Sequence, residues 1–160
     1  MRNLIIACGH YGSTAKVAEI LSRRLDGETV IFDQSSGSIP DWTEYNNIIL
    51  GGNIRMNKPN KNFRRFAKKL KKASAGVKVY AYIVCGFSDK AQGYVDKVKK
   101  LLPFAERVDH VGGVLSAENA TGFWAGVIVD ARNGLLKAGK PLPAIDRKHV
   151  EEIARYINSN

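Results

Sequence analysis

The chain has 160 residues, of which 44% are hydrophobic and 25% are charged. These values are ordinary for one globular domain over residues 1–160, and the sequence has no low-complexity tract or internal repeat. No apolar run approaches the roughly 18 residues that span a bilayer, and the first residues lead into a strand rather than a signal sequence, so we expect a cytoplasmic protein. The two cysteines form no CxxC pair, which argues against a disulfide framework and a zinc site.

The net charge of +10 is concentrated in one segment of the chain. From Asn53 to Gly76 there are nine basic residues and no acidic one, whereas the rest of the chain holds 16 basic and 15 acidic residues. The positive field is therefore expected to be a local patch rather than a general property of the surface.

Short apolar runs alternate with amphipathic stretches, which indicates alternating strands and helices. The first strand is predicted over Asn3–Cys8, a continuous apolar run typical of a strand buried on both faces of a parallel sheet. The helix that follows begins at Ser13 and is closed by Gly27. The remaining predicted elements are strands at Glu28–Asp33, Asn47–Leu50, Lys78–Cys85 and His110–Leu115, helical stripes at Phe63–Leu70 and Tyr94–Leu102, and helices at Phe123–Lys137 and Arg147–Ile157.

This order of elements predicts an α/β fold. Right-handed βαβ crossovers place helices on both faces of a doubly wound sheet. We expect a three-layer sandwich with a five-stranded parallel sheet in the order 2-1-3-4-5. Ligands of such sheets bind outside the carboxyl ends of the strands, here between the first and third strands.

The loop after the first strand has the composition of a phosphate cradle. Glycines allow a tight turn, and the hydroxyl and N–H groups that open the helix can donate to an anion favoured by the helix dipole. The pattern is neither GxGxxG nor a Walker A loop, which argues against dinucleotides and nucleoside triphosphates. The alternative is a plain turn with a Ser or Thr N-cap. The candidate residues are Gly9, His10, Tyr11, Gly12, Ser13 and Thr14.

The segment Tyr11–Leu21 (YGSTAKVAEIL) resembles the phosphate-binding segment of the flavodoxin family, a hydroxylic loop that ends in Gly-x-Thr and runs into a helix. Gly12–Thr14 occupy the matching positions. Flavodoxins usually carry small hydroxyl side chains where this chain has Gly9 and Tyr11, so backbone N–H groups are expected to supply more of the phosphate contacts. The resemblance implies a flavodoxin-like fold with FMN as the cofactor.

The loop after the third strand, residues Gly51–Asn57 (GGNIRMN), resembles the flavin-ring loop of the flavodoxin-like subfamily that contains the menaquinone-dependent protoporphyrinogen oxidases. Glycines let the backbone approach a flat ring, and the apolar and amide side chains can contact its face and its polar edge. The alternative is an ordinary surface loop. The candidate flavin-binding residues are Gly52, Asn53, Ile54, Arg55 and Met56.

The loop after the fourth strand is where the same resemblance places the other wall of the flavin pocket. Its candidate residues are Cys85, Gly86, Phe87 and Asp89. Phe87 and Tyr94 are candidates for ring contact, although Tyr94 also lies on a helical apolar stripe expected in the core. Cys8 and Cys85 end strands two positions apart in the predicted sheet, too far for a disulfide. No catalytic residue and no metal ligand is assigned.

The stretch from Lys58 to Lys72 is expected to turn its apolar residues inward and one continuous basic face outward. We expect this face to bind an anionic redox partner protein or an anionic substrate, with a peripheral position at the inner face of the membrane or a quinone contact as alternatives. A face that only keeps the protein in solution is the other alternative. Nucleic acid is not expected, because no aromatic stacking platform lies beside the charge. The late helix at Phe123–Lys137 is expected to pack on the sheet, with a partner or membrane role as the alternative.

Three functions are consistent with the sequence. The first is an FMN-binding, flavodoxin-like redox protein that transfers electrons through a non-covalently bound flavin, as carrier or FMN-dependent oxidoreductase. The second is a quinone-linked enzyme of the protoporphyrinogen oxidase type. The third is a flavin-free binding domain of the same fold, which the lack of small hydroxyl side chains at Gly9 and Tyr11 favours.

Overall fold

Alternating strands and helices build one sheet with helices on both faces, and the computed structural model describes them over residues 1–9, 12–32, 40–73, 76–86, 88–115 and 122–160. The strands in these residues are Arg2–Cys8 (β1), Glu28–Phe32 (β2), Asn47–Arg55 (β3), Lys58–Pro59 (β4), Lys78–Val84 (β5) and Arg107–His110 (β6). The helices are Ser13–Ser22 (α1), Lys61–Ala73 (α2), Ala91–Leu101 (α3), Phe123–Lys137 (α4) and Arg147–Asn158 (α5). Within the described helices, none is long and apolar enough to cross a membrane.

The strands lie in the order β2-β1-β3-β5-β6, and every pair along this path is parallel. The two-residue β4 pairs antiparallel with the end of β3. Without β4 the order is 2-1-3-4-5, so the predicted flavodoxin-like topology is confirmed. The winding direction changes between β1 and β3, where Cys8 lies opposite Gly52, and a crevice opens at the carboxyl ends of these strands.

Alternating side chains of the strands fill two hydrophobic cores, one on each face of the sheet. Leu4 of β1 belongs to the core under α2 and α3, with Phe63 and Phe66 of α2. Ile5, the next residue, belongs to the core under α1 and α5, with Ile153 of α5. This arrangement is the three-layer sandwich that the sequence predicts.

The prediction of the last strand was wrong in position. The strand is Arg107–His110, and only His110 belongs to the predicted segment His110–Leu115. This edge strand has one neighbour and carries polar residues, including the pair in which Arg107 Nε donates to Asp109 at 2.7 Å. The predicted segment instead contains Gly112, whose φ of 72° takes the chain out of strand geometry.

The prediction of the third strand was too short, because β3 continues past Leu50 to Arg55. Gly51 and Gly52, expected to open a loop, pair with β1 on one side and β5 on the other. A Cβ at Gly51 would overlap the Tyr82 ring, and one at Gly52 would overlap the Phe63 ring. These glycines therefore allow close packing inside a strand rather than a turn.

Helix α4 differs from the other four helices, because none of its described side chains is buried. Phe123 is 78% exposed and Leu136 is 53% exposed. The expectation that this helix packs on the sheet was therefore wrong, although its bounds are those predicted. The helix instead lies across the crevice described below.

Candidate functional site

A pocket of about 290 Å³ opens at the carboxyl ends of the strands. This volume lies near the lower end of the range of about 300–1,000 Å³ typical of small-molecule and cofactor sites. The pocket is bounded by the start of α1, the end of β3 with its turn, the end of β5, residues 113–115 and helix α4. It therefore lies where the topology predicts a ligand.

The start of α1 forms a polar end of the pocket. Gly12 is the N-cap residue with a φ of 81°, a left-handed conformation that favours glycine, and as a glycine it has no side chain that could cap the helix. The side chains of Ser13 and Thr14 are buried and line the pocket. The first N–H groups of the helix have no acceptor within the helix, so this end offers N–H and hydroxyl donors where the dipole favours an anion.

Thr14 is held from the strand side by a buried tyrosine. Tyr82 of β5 donates its hydroxyl to the carbonyl oxygen of Thr14 at 2.8 Å. Burial raises the pKa of the Tyr82 hydroxyl, so it stays protonated and remains a donor. A Cβ at Gly9 would overlap the Thr14 hydroxyl, so Thr14 occupies the space that a side chain at position 9 would need.

A tight turn forms the opposite side of the pocket. Met56 and Asn57 join β3 to β4 with φ values of 49° and 60°, the pattern of a two-residue type I′ hairpin turn. Tyr94 of α3 donates its hydroxyl to Asn57 Oδ1 at 2.7 Å, and Lys97 Nζ donates to the Asn57 carbonyl at 2.7 Å. Two side chains of α3 therefore hold this turn in place.

Asn60 connects three parts of the site. Its Oδ1 accepts from the backbone N–H of Phe63 at 2.9 Å, which caps α2 and fixes the amide orientation, because a backbone N–H can only donate. The Asn60 Nδ2 group therefore donates, to Asn53 Oδ1 at 2.6 Å and to the Cys8 carbonyl. Since Asn53 Oδ1 accepts, the NH₂ group of Asn53 is the part of this side chain that can donate to a ligand.

The third wall consists of Cys85 and Gly86 facing residues 113–115. Cys85 donates its backbone N–H to the Gly112 carbonyl at 2.9 Å, and its own carbonyl lies 2.9 Å from His110 Nε2. Within the described residues no disulfide joins the two cysteines: Cys8 ends β1, Cys85 directly follows β5, and β3 lies between these two strands. Burial raises the pKa of the Cys8 thiol to about 12, and the Arg65 guanidinium opposes this shift.

Helix α4 covers the pocket with Val127, Ile128 and Ala131. Sequence reasoning did not place this helix at the site. The available signal was its composition: FWAGVIVDARNGLLK is apolar on more than one side, which is unusual for a helix with only one sheet-facing stripe. Tyr94 was expected either to contact the ring or to lie in the core, and its side chain is both buried in the core and part of the pocket lining.

Eight of the predicted site residues line the pocket, and the structure brings the three predicted segments together there. These eight are Ser13, Thr14, Asn53, Ile54, Arg55, Met56, Cys85 and Gly86. Four others are described but do not line it, namely Gly9, Gly12, Gly52 and Asp89. Three lie outside the described residues, namely His10, Tyr11 and Phe87.

Comparisons with solved structures agree with this topology. A flavoprotein from Lactobacillus acidophilus NCFM in complex with FMN is similar with a TM-score of 0.56 and 15% identity, over 68% of this chain and 92% of that chain. A Fusobacterium nucleatum flavodoxin bound to flavin mononucleotide has a TM-score of 0.51 and 13% identity, over 86% of this chain and 99% of that chain. Oxidised flavodoxin 1 from Bacillus cereus has a TM-score of 0.50 and 15% identity, over 86% of this chain and 98% of that chain.

No curated protein matches this chain. The profile of the family described as "Flavodoxin domain" matches residues 4–124, which include the sheet, the start of α1 and the turn after β3. The match ends at Trp124, so most of α4 and all of α5 lie outside it. With most of its length matched and the flavodoxin strand order in its sheet, the chain belongs to the flavodoxin-domain family.

Proposed function

We propose that this protein binds FMN non-covalently in the pocket and transfers electrons through it. The observation that carries the proposal is the pairing, in one pocket, of a helix start rich in donors with a hairpin turn and apolar walls. FMN has the same two parts, a phosphate at one end and a flat ring at the other. Family membership and the FMN named for two similar structures support the choice of this cofactor.

The residues present fit both parts of the cofactor. Ser13, Thr14 and the first N–H groups of α1 would hold the phosphate. Ile54 and Met56 offer apolar contact for the ring, and the NH₂ group of Asn53 offers a donor to its polar edge. The phosphate-binding segment has fewer small hydroxyl side chains than the family pattern. A side chain at position 9 has no room here, because Thr14 occupies the space beside Gly9.

When bound, FMN would supply the one- and two-electron chemistry. The chain's own residues would orient the cofactor and set the charge around it. Arg55 lines the pocket, and seven basic residues of α2 follow shortly after it. Positive charge near the ring favours the addition of electrons, so we expect a higher midpoint potential than in acidic flavodoxins.

The experiment is a spectrum and a mass of whatever small molecule copurifies with the protein, followed by titration of the stripped protein with FMN. We expect a yellow protein, a mass of FMN and one FMN bound per chain. A protein that neither copurifies with flavin nor quenches FMN fluorescence would contradict the proposal and leave the flavin-free binding domain as the explanation.

A second candidate is a quinone-linked enzyme of the protoporphyrinogen oxidase type. The resemblance of the GGNIRMN segment supports it, together with the position of Asn53, Ile54 and Arg55 along the pocket. A positive side chain at the ring is suited to a substrate that carries carboxylates. Turnover of protoporphyrinogen with a menaquinone analogue by the flavin-loaded protein would establish it, and flavin binding without turnover would leave the electron carrier.

A further inference from the structure

The two helices on one side of the sheet carry nearly all of the excess charge. Helix α2 has seven basic residues and no acidic one, and α3 has three basic residues and one acidic one. On the other side of the sheet, α1 has one residue of each sign, and α5 has three basic and two acidic residues besides His149. The molecule therefore has one strongly basic flank and one nearly neutral flank.

The charged groups of this flank point into solvent. The exposed basic residues of α2 are Lys61, Arg65, Lys68, Lys69, Lys71 and Lys72. With Lys97, Lys99 and Lys100 of α3, we call them the basic face. Among the residues that the structure describes, no carboxylate lies within ion-pair distance of any of them. Such uncompensated like charges repel one another, which a partner of opposite charge relieves.

The basic face continues to the mouth of the pocket. Lys61 directly follows Asn60, which bonds Asn53 of the pocket lining, and Lys97 bonds the Asn57 carbonyl of the hairpin turn. The mouth itself is apolar and exposed: Met56, Val114 and Val127 line the pocket and are 71%, 44% and 40% exposed. An apolar centre beside charged residues is the usual composition of a docking site for a protein.

The shape of this surface favours a protein over a membrane. Because α2 connects two parallel strands, it runs from the carboxyl edge of the sheet back toward the amino edge, about 18 Å along its axis. The basic face and the mouth therefore meet at a corner, and a flat bilayer cannot lie on both. Moreover, no described side chain of α2 or α3 is both apolar and largely exposed, so this flank has nothing to insert between lipids.

We propose that the basic face and the mouth together dock an acidic electron-transfer protein, which brings that protein's redox centre to the pocket. The redox purpose of this docking rests on the proposed function, but the docking itself needs only the charge and shape of the folded chain. Electrostatic steering by the basic face would speed the encounter and make it dependent on salt.

The test is the affinity for a labelled acidic [2Fe–2S] ferredoxin, measured by fluorescence anisotropy at low and high ionic strength. The triple variant Lys68→Gln/Lys69→Gln/Lys72→Gln removes three charges from the basic face, far from the pocket. The control Lys16→Gln/Arg147→Gln/Lys148→Gln removes three exposed charges from the other flank, so both variants have the same net charge. FMN content is measured in each sample.

We expect the basic-face variant to bind ferredoxin about tenfold more weakly at low salt, and the control to bind within about twofold of the wild type. High salt should remove the difference. Equal affinities of the two variants would overturn the proposal, as would binding to phosphatidylserine vesicles without binding to ferredoxin. A flavin-free protein that still binds ferredoxin in this pattern would refute the proposed function and leave the docking surface intact.

Discussion

Asn60 donates an amide hydrogen to Oδ1 of Asn53 at 2.6 Å, and this bond fixes which end of the Asn53 amide the pocket receives. Asn60 is itself fixed by the N–H of Phe63, which it accepts as the cap of α2. The buried amide of Asn60 therefore links the start of α2 to the group that Asn53 presents to the pocket. The orientation of Asn53 follows from a backbone donor two hydrogen bonds away.

The substitution Asn60→Asp separates the two roles of Asn60, which accepts from the N–H of Phe63 and donates to Oδ1 of Asn53. The carboxylate keeps the acceptor for Phe63 but loses both donors, and it repels Oδ1 of Asn53, so the Asn53 amide should turn its NH₂ group away from the pocket. We expect FMN to bind about tenfold more weakly at neutral pH, as measured by fluorescence quenching. Affinity relative to the wild type should recover at acidic pH, where the introduced carboxyl group is protonated and can donate again.

The matched control for this change is Asn62→Asp, two residues along the same segment. Asn62 is only partly buried and is not part of the pocket lining. The control introduces the same charge at a similar position in the helix, so its FMN affinity should stay close to that of the wild type. An equal loss in both variants would mean that charge alone, rather than the orientation of Asn53, accounts for the effect.

Replacing each of the two buried tyrosines of β5 by phenylalanine should have different effects on the free energy of unfolding. Tyr82→Phe removes the donor to the Thr14 carbonyl and leaves that buried oxygen without this bond, so the free energy of unfolding should fall by about 1–2 kcal/mol. Tyr80 has a buried hydroxyl with no hydrogen-bond partner among the described residues. Tyr80→Phe should therefore leave stability unchanged or raise it slightly, as urea unfolding would show. A larger loss for Tyr80→Phe would contradict the assignment.

Arg55→Gln tests the charge beside the ring. Because reduction adds negative charge to the pocket, removing a nearby cation should lower the midpoint potential of the bound flavin by roughly tens of millivolts. Spectroelectrochemical titration measures this shift. Arg147→Gln, on the opposite flank, is the control and should leave the potential where it is; a common shift in both variants would indicate a general charge effect.

The buried thiol of Cys8 should make the protein less stable at alkaline pH. Burial raises the pKa of its thiol to about 12, whereas an unfolded chain ionises the thiol near pH 9. The folded state therefore retains a proton that the unfolded state loses, so this contribution is complete below pH 9 and declines as the pH rises toward 12. Between pH 8 and pH 10 the wild type should lose about 1.4 kcal/mol more stability than Cys8→Ala, measured by urea unfolding under reducing conditions. Parallel pH profiles would contradict this assignment.

The sequence predicts most of the fold because buried strands have a clear pattern. Runs such as Asn3–Cys8 and Lys78–Cys85 read as strands, since both of their faces are covered. The edge strand at Arg107–His110 escaped prediction because it is short and largely polar: Arg107 and Asp109, two residues apart in the same strand, pair with each other. The continuation of β3 escaped because Gly51 and Gly52 resemble a loop until the rings of Tyr82 and Phe63 are seen to need their space.

The site was predicted where local sequence determines it and missed where distant contacts do. Ser13 and Thr14 follow from the start of a helix, and Asn53 to Met56 follow from their position after the predicted third strand, Asn47–Leu50. The roles of Asn60 and Tyr94 depend on hydrogen bonds to Asn53 and Asn57 that no local pattern reveals. The place of α4 depends on which surface its apolar residues cover, which is a tertiary property.

The most direct test of the central claim compares FMN with riboflavin, which lacks only the phosphate. If Ser13, Thr14 and the start of α1 hold the phosphate, FMN should bind at least about 100-fold more tightly than riboflavin. Thr14→Val should then weaken FMN binding while leaving riboflavin binding unchanged, as judged by quenching of flavin fluorescence. Equal affinities for FMN and riboflavin, or an equal loss of both in Thr14→Val, would contradict the claim that this pocket is an FMN site.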